Sequence, residues 1–177
     1  MLQRFRGVTP LVDPRAFVHP AAVLIGDVVL GPEASVWPCA TLRGDDGPIR
    51  VGAQSSIQDG TVVHMSEGRS ITTIGERVTV GHNVTLHGCT VMDECIVGMG
   101  AILLDNAVIE SQCIVGAGSL VPPGKRVPAG SVVVGNPMRI VRRCTDEDLE
   151  FIAWSWKAYV ERAAQYRAAL DDDAGAP

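Results

Sequence analysis

Aromatic side chains are scarce in this chain, at 5% of 177 residues, so any core must be built from aliphatic groups, and 46% of the residues are apolar. Concentrated positive charge is missing too. The formal net charge is −5 and the arginines are scattered, which argues against nucleic acid as a partner, because binding phosphates needs a basic face. No apolar run approaches the ~20 residues that cross a bilayer, and Met1–Pro10 lacks the hydrophobic stretch of a leader peptide. Neither a membrane nor an export route is expected. The five cysteines (Cys39, Cys89, Cys95, Cys113 and Cys144) are odd in number and lack CxxC spacing, so reduced thiols and a cytoplasmic location are expected. Histidine is also rare: there are four, and three of them, His64, His82 and His87, fall within 24 residues.

What the chain does have is a repeat. An aliphatic residue recurs every six positions at Leu30, Val36 and Leu42, then at Val51, Ile57 and Val63, and again at Ile74, Val80 and Leu86. It resumes at Val91, Val97, Leu103, Ile109, Val115, Val121, Val127 and Val133. The fifth place of most units is small: Ala34, Ala40, Ser55, Thr61, Val78, Val84, Thr90, Cys95, Ala101, Ala107, Cys113 and Ser119. Glycine often takes the second place, as at Gly31, Gly52, Gly75, Gly81, Gly98 and Gly116, which suits a corner where the backbone turns without Cβ crowding. A two-sheet sandwich with period-2 strands is the ordinary alternative, but so many units in phase argue against it. The pattern resembles the hexapeptide-repeat proteins over about residues 12–140. That resemblance implies an all-β fold, a left-handed parallel β-helix with three units per coil, although general rules favour right-handed crossovers. Cys95 and Cys113 would then be inward neighbours one coil apart, packing as small hydrophobes.

After Pro137 the composition changes. Thr145 before Asp146, Glu147 and Asp148 reads as a helix N-cap with acids in the first turn. Leu149, Ile152, Ala153, Trp156, Val160 and Ala163 follow helical spacing, so the expected helix covers solenoid surface. The expected division is a β-helix domain over 1–143 and a C-terminal helical segment over 144–177. Its end, DDDAGAP, reads as disordered.

The repeat also places the histidines. His64 follows Val63 and His87 follows Leu86, so both hold the second place of a unit. With an insertion of five residues around Arg69–Thr73 left out of the count, they are three units apart, one coil above the other. Coils spaced at ~4.8 Å let two stacked imidazoles share a Zn²⁺ ion. His82 holds the third place and points from another face, so it cannot reach the same ion within one chain. A neighbouring copy in a homotrimer resolves this, with His82 facing His64 and His87 across each contact. Three unrelated surface histidines are the plain alternative, and the shared register argues against it. His19, before Pro20, reads as a turn residue.

Within the hexapeptide proteins, three stretches resemble the gamma-class carbonic anhydrases: Leu42-Arg43-Gly44-Asp45-Asp46, Ile57 through His64, and Gly81 through Gly88. The resemblance implies that His64, His82 and His87 bind the metal, two from one subunit and one from its neighbour, with zinc, iron or cobalt as the ion. It implies reversible hydration of CO2 to bicarbonate by metal-activated hydroxide, with Gln58 orienting the water. Arg43, Asp45 and Asp59 would either serve catalysis or form ion pairs that position the trimer, and Asp59 would hydrogen-bond locally or orient Arg43. Asp46 stands where the best-studied members carry Glu, and would relay protons with shorter reach. Glu67 lies in a short loop, not the acidic one of those members, and reads better as an exposed charge. Tyr159 matches a tyrosine that short relatives place near the site, while helix packing explains it equally.

Two rivals follow from the same residues. Hexapeptide acyltransferases and coenzyme A thioester enzymes share the scaffold, but work with one histidine and a longer acceptor loop. A catalytically weak or inactive zinc-binding trimer is the non-enzymatic reading, suggested by the departures at Asp46 and its neighbouring loop.

Overall fold

The computed structural model describes residues 1–174, with side chains described to Leu170. It is a left-handed parallel β-helix of about seven turns with one C-terminal helix. The strands are mostly two residues long, because each six-residue unit supplies one short strand and one corner. Three parallel sheets form the faces of a prism. Two of them join without a break, because the long strand Thr41–Val51 runs straight through their shared corner.

The aliphatic repeat builds three stacked columns. Leu24, Leu42, Val63, Leu86, Leu103 and Val121 pair in register up the first face. Leu30, Val51, Ile74, Val91, Ile109 and Val127 do so on the second, and Val36, Ile57, Val80, Val97, Val115 and Val133 on the third. Every one is buried, and burying such a side chain stabilises the fold by about 1.5–3 kcal/mol. All the aliphatic repeat positions named from the sequence therefore point inward.

Two details of the repeat differ from expectation. Thr90 is only half-buried; the small inward residue of its unit is Cys89. The unit from Leu86 to Val91 is one residue short, which shifts the small place forward by one. The turning residue also lies at the fourth place rather than the second. Glu33, Gln54, Asn83, Glu94, Asn106 and Gln112, with Gly60, Gly100 and Gly118 at equivalent positions, all take φ between 55° and 69°. Side chains at such φ strain the backbone by roughly 1–2 kcal/mol each, so tertiary stacking enforces these corners. Cys95 and Cys113 are fully buried, and the Cys113 N–H donates to Cys95 Sγ at 3.5 Å. Burial pushes the Cys89 thiol up to about 12, which leaves it unreactive at neutral pH.

The helix spans Asp146–Ala174 and packs on the third face, against the strands at 17–18, 35–36, 56–57 and 79–80. Ile152 and Ala163 are buried, with Leu149, Ala153, Trp156 and Val160 partly so, as the spacing indicated. Trp37 anchors the contact, with its ring 5.6 Å from Tyr159 and 5.2 Å from Tyr166. The helix continues through Asp171–Asp173, against the expectation of disorder there; Ala168, Ala169 and Leu170 are strong helix formers that carry it on. The rest of that tail, residues 175–177, lies outside the described residues. No helix among the described residues is long and apolar enough to cross a membrane.

The helix start has a reciprocal cap. Thr145 Oγ1 accepts from the Asp148 N–H at 3.3 Å, and the Asp148 carboxylate accepts from the Thr145 N–H at 2.8 Å. Arg142 also donates to Asp148, holding its carboxyl well below the ordinary 3.8. A lowered folded-state pKa means that the stabilisation is fully present above the unfolded value and lost as pH falls through the folded one. Acidification below about pH 4 is therefore expected to loosen the first turn progressively, read by Trp154 and Trp156 fluorescence. Asp148→Asn should remove that acid-dependent change. A titration identical to wild type would contradict the cap.

Candidate metal centre

His64 and His87 stack in register on adjacent strands of the first face, with ring centroids 5.4 Å apart. Both sit just past an inward aliphatic residue, where the chain leaves the face for its corner. That corner varies in length from coil to coil. Three extra residues between Leu42 and Val51 extend the strand carrying Arg43, Asp45 and Asp46, and the excursion Met65–Ile71 follows His64. The extra chain therefore runs from Met65 to Ile71, with Thr72 and Thr73 already in strand, a shift of a few residues from the sequence-based position.

These irregularities surround His64 with charge. Its Nε2 lies 3.1 Å from Asp45 Oδ1 and 3.3 Å from Asp46 Oδ2, while the Arg43 guanidinium is 3.2 Å from Nδ1. Guanidinium only donates, so Nδ1 accepts and the Nε2–H points at the carboxylates. Arg43 also binds Asp45 at 2.6 Å. Burial works to raise the Asp45 carboxyl, but the hydrogen bonds from Arg43, its own backbone and His64 override it and hold it below the usual range. Among the described residues, the metal-ligand atoms lying within 4.8 Å of one another in a single chain are those of Asp45, Asp46 and His64.

His82 stands at the other corner of the same face, stacked over Asp59 of the coil below; both occupy the third place of their units. Its Nδ1 is 2.9 Å from Asp59 Oδ2. Asp59 thus orients His82 and not Arg43, because the repeat stacks the third places and Arg43 is engaged by Asp45 at the opposite corner. A cavity of about 320 Å³ opens beside His82, lined by Gln58, Met99, Phe151, Trp154, Tyr159 and Arg162 among others. Gln58 is buried in it at 4% exposure. Burial raises the Tyr159 phenol, with nearby Arg162 opposing, so it stays protonated at neutral pH. Tyr159 both packs on Trp37 and borders this cavity. Phe151 and Trp154 stack on each other at 5.6 Å and remain largely exposed.

Other sequence-flagged residues lie apart. His19 Nδ1 accepts the Ala21 N–H at 3.1 Å, in a turn. Glu67 is exposed and lies 3.8 Å from Arg6, a pair worth little at such exposure.

Sequence reasoning missed Asp105. Its Oδ2 is 3.1 Å from His87 Nδ1, and its Oδ1 accepts from the Ser70 hydroxyl. The Ser70 hydrogen bond, opposed by desolvation and aided by His87, holds this carboxyl below its ordinary range, so it is ionised at neutral pH. A signal existed: Asp105 follows Leu103 by two residues, as Asp59 follows Ile57, so a search of third places for carboxylates finds both. Ser70 had no such signal, because it lies in the irregular excursion.

Two of the three imidazoles are set for a borderline divalent cation, while His64, with Nδ1 accepting from Arg43 and its Nε2–H on Asp45 and Asp46, has to give up that proton to join them. His82 and His87 each have Nδ1 held by a carboxylate, which leaves Nε2 without its proton and available as a ligand, the arrangement metal-binding histidines favour.

No protein-family model matches the chain. It is 47% identical to gamma carbonic anhydrase 2, mitochondrial, of Arabidopsis thaliana over 160 residues, 88% of this chain but 58% of that protein; the chain thus spans less than two thirds of that relative. It is 40% identical to protein YrdA of Escherichia coli over 172 residues, 94% of each. A hexapeptide transferase family protein from Anaplasma phagocytophilum superimposes with a TM-score of 0.90 at 41% identity, covering 93% of this chain and 97% of its own. With repeat, coil register and sequence all in agreement, the chain belongs to the gamma carbonic anhydrase-like family of hexapeptide-repeat proteins.

Proposed function

We propose that the chain is a metal-dependent carbonic anhydrase-like enzyme that interconverts CO2 and bicarbonate at the seams of a homotrimer. The observation that carries this reading is the arrangement of the imidazoles. His64 and His87 are paired in register at one corner, while His82 stands at the other corner of that face with its ring held by Asp59. A centre made of all three needs a second copy of the chain. The exposed Phe151–Trp154 pair, bordering the His82 cavity, supports an apolar contact there.

His64 and His87 of one copy and His82 of the next would hold zinc, with iron or cobalt as substitutes. When bound, the cation supplies Lewis acidity that makes a nucleophile of water at neutral pH. The chain's own groups do the rest. Gln58 offers a neutral amide to orient water or CO2 in the cavity, and Tyr159 adds a neutral hydroxyl. Arg43 fixes both Asp45 and the His64 ring. Hydration of CO2 releases one proton with each bicarbonate, and Asp46 is placed to take it. Asp46 reaches to 3.3 Å from His64 and lines a cavity of about 450 Å³ with Arg69, Ser70 and Asn106 that opens to solvent. Five free thiols suit a reducing, cytoplasmic setting.

Elemental analysis together with a CO2 hydration assay tests this, on wild type and on His82→Ala. Near one metal per chain and measurable hydration are expected in wild type, and both should fall sharply in the variant. A His82→Ala trimer that keeps its full metal content refutes the shared centre. A fully metallated, inactive wild type would leave a zinc-stapled scaffold instead. The likeness to a hexapeptide transferase keeps acyl transfer as the second reading, checked by thioester turnover in the same preparations.

A further inference from the structure

The Met65–Ile71 excursion is the longest departure from the repeat beside the stacked histidines among the described residues, and its contacts converge on His87. The Ser66 N–H donates to Ser70 Oγ at 3.1 Å, and the Ser70 hydroxyl donates to Asp105 Oδ1. The other Asp105 oxygen is 3.1 Å from His87 Nδ1. The neighbouring backbone is shaped around this chain of bonds. A Cβ at Gly88 would lie 2.1 Å from Ser70 Oγ and 2.3 Å from Asp105 Oδ1. The shortened unit after Leu86 places a glycine, with φ of +61°, where a side chain would displace both partners. The Asn106 side chain also reaches the Arg69 carbonyl at 3.5 Å, tying the excursion to the coil that carries Asp105.

Asp105 Oδ1 takes the Ser70 hydroxyl hydrogen bond and its Oδ2 faces His87 Nδ1 at 3.1 Å, so the contact is satisfied with the ring proton on Nδ1, which leaves Nε2 bare. Ser70 occupies the second carboxylate oxygen, so Asp105 cannot rotate away without losing a hydrogen bond. We propose that Asp105, clamped by Ser70 from the Met65–Ile71 excursion, is the positioning residue that fixes the tautomer and orientation of His87 as a metal ligand. The excursion, too short for a substrate lid, then has a purpose: it delivers Ser70. This inference rests on the proposed role of His87 in metal binding, and reaches beyond it to residues of another coil and another loop.

The test uses the full-length protein in two measurements. Ring nitrogen shifts of ¹⁵N-histidine in the metal-free protein report the His87 tautomer, and chelator competition reports Co²⁺ affinity. Wild type should show His87 protonated at Nδ1. Asp105→Ala should abolish that preference and weaken Co²⁺ binding by roughly 10–100-fold. Asp105→Asn keeps an acceptor oxygen and should recover part of the loss. Ser70→Ala, which retains the carboxylate and safeguards against a misfolded Asp105→Ala, should weaken binding by a smaller factor in the same direction. Circular dichroism and subunit stoichiometry should match wild type in every variant compared. An Nε2–H tautomer in wild type, or unchanged tautomer and affinity in both Asp105→Ala and Ser70→Ala, overturns the proposal. A wild type that binds no Co²⁺ would instead sink the metal-enzyme reading, and the tautomer measurement would still decide the clamp.

Discussion

Mixed trimers assembled from His82→Ala and His87→Ala subunits will recover about one quarter of wild-type CO2 hydration, although each variant alone has almost none. The figure follows from threefold symmetry. In a random equal mixture about three quarters of the trimers contain both subunit types, and in each of these one of the three seams joins an intact His82 to an intact His64–His87 pair. Stopped-flow hydration assays on the unselected mixture from co-expressing two differently tagged variants measure it, and tandem purification, which keeps only the mixed trimers, should raise the recovery to about one third. Metal content should track the activity, since the restored seam is also the restored binding site. The opposite result has a definite meaning: a mixture that stays at the level of the single variants places the centre inside one chain, where Asp45, Asp46 and His64 already lie within ligand range of one another. His82 suits the experiment because its side chain is 41% exposed and contacts Asp59 across one coil, so truncating it removes a ligand without opening the core.

Gly52→Ala is expected to destabilise the solenoid by about 3 kcal/mol or more, the upper range of overpacking costs, and to lower the melting temperature by roughly 10 °C for a chain of this size. A Cβ at this position would lie 2.4 Å from the Gly75 carbonyl oxygen, 2.5 Å from its carbon and 2.8 Å from the Glu76 nitrogen. All three are backbone atoms of the next coil, so no side chain can swing aside; only separating the coils relieves the contact. Gly68→Ala is the control. It has φ of +65° and nothing within 4 Å of its Cβ, so its cost is backbone strain alone, about 1–2 kcal/mol. Thermal unfolding of the two variants separates the causes. Equal losses would mean that coil contact is not what glycine at the second place protects.

Much of this architecture is written in the chain one unit at a time. The aliphatic period dictates the three inward columns because only apolar side chains fill a prism with no room for water, and Leu30 through Val133 all point inward as their spacing requires. The pairing of His64 with His87 was equally legible, because register follows from counting units once the insertion is left out. Thr145 and the acids after it marked the helix start for a local reason, since a cap is made by neighbours in sequence.

The rest was decided by contacts between coils and between irregular segments, which no local period encodes. Thr90 was misplaced because a single missing residue at the unit after Leu86 moves the inward small position to Cys89. Asp59 went to His82 rather than Arg43 because corners stack third place on third place. Ser70 and Asp105 are 35 residues apart, and only the fold of the Met65–Ile71 excursion brings them together beside His87. Sequence determined which side chains face the core and which histidines share a column, because both follow from a fixed step along the chain. Tertiary structure decided which of the third-place carboxylates stands behind an imidazole, because that choice depends on how departures from the step are packed against one another.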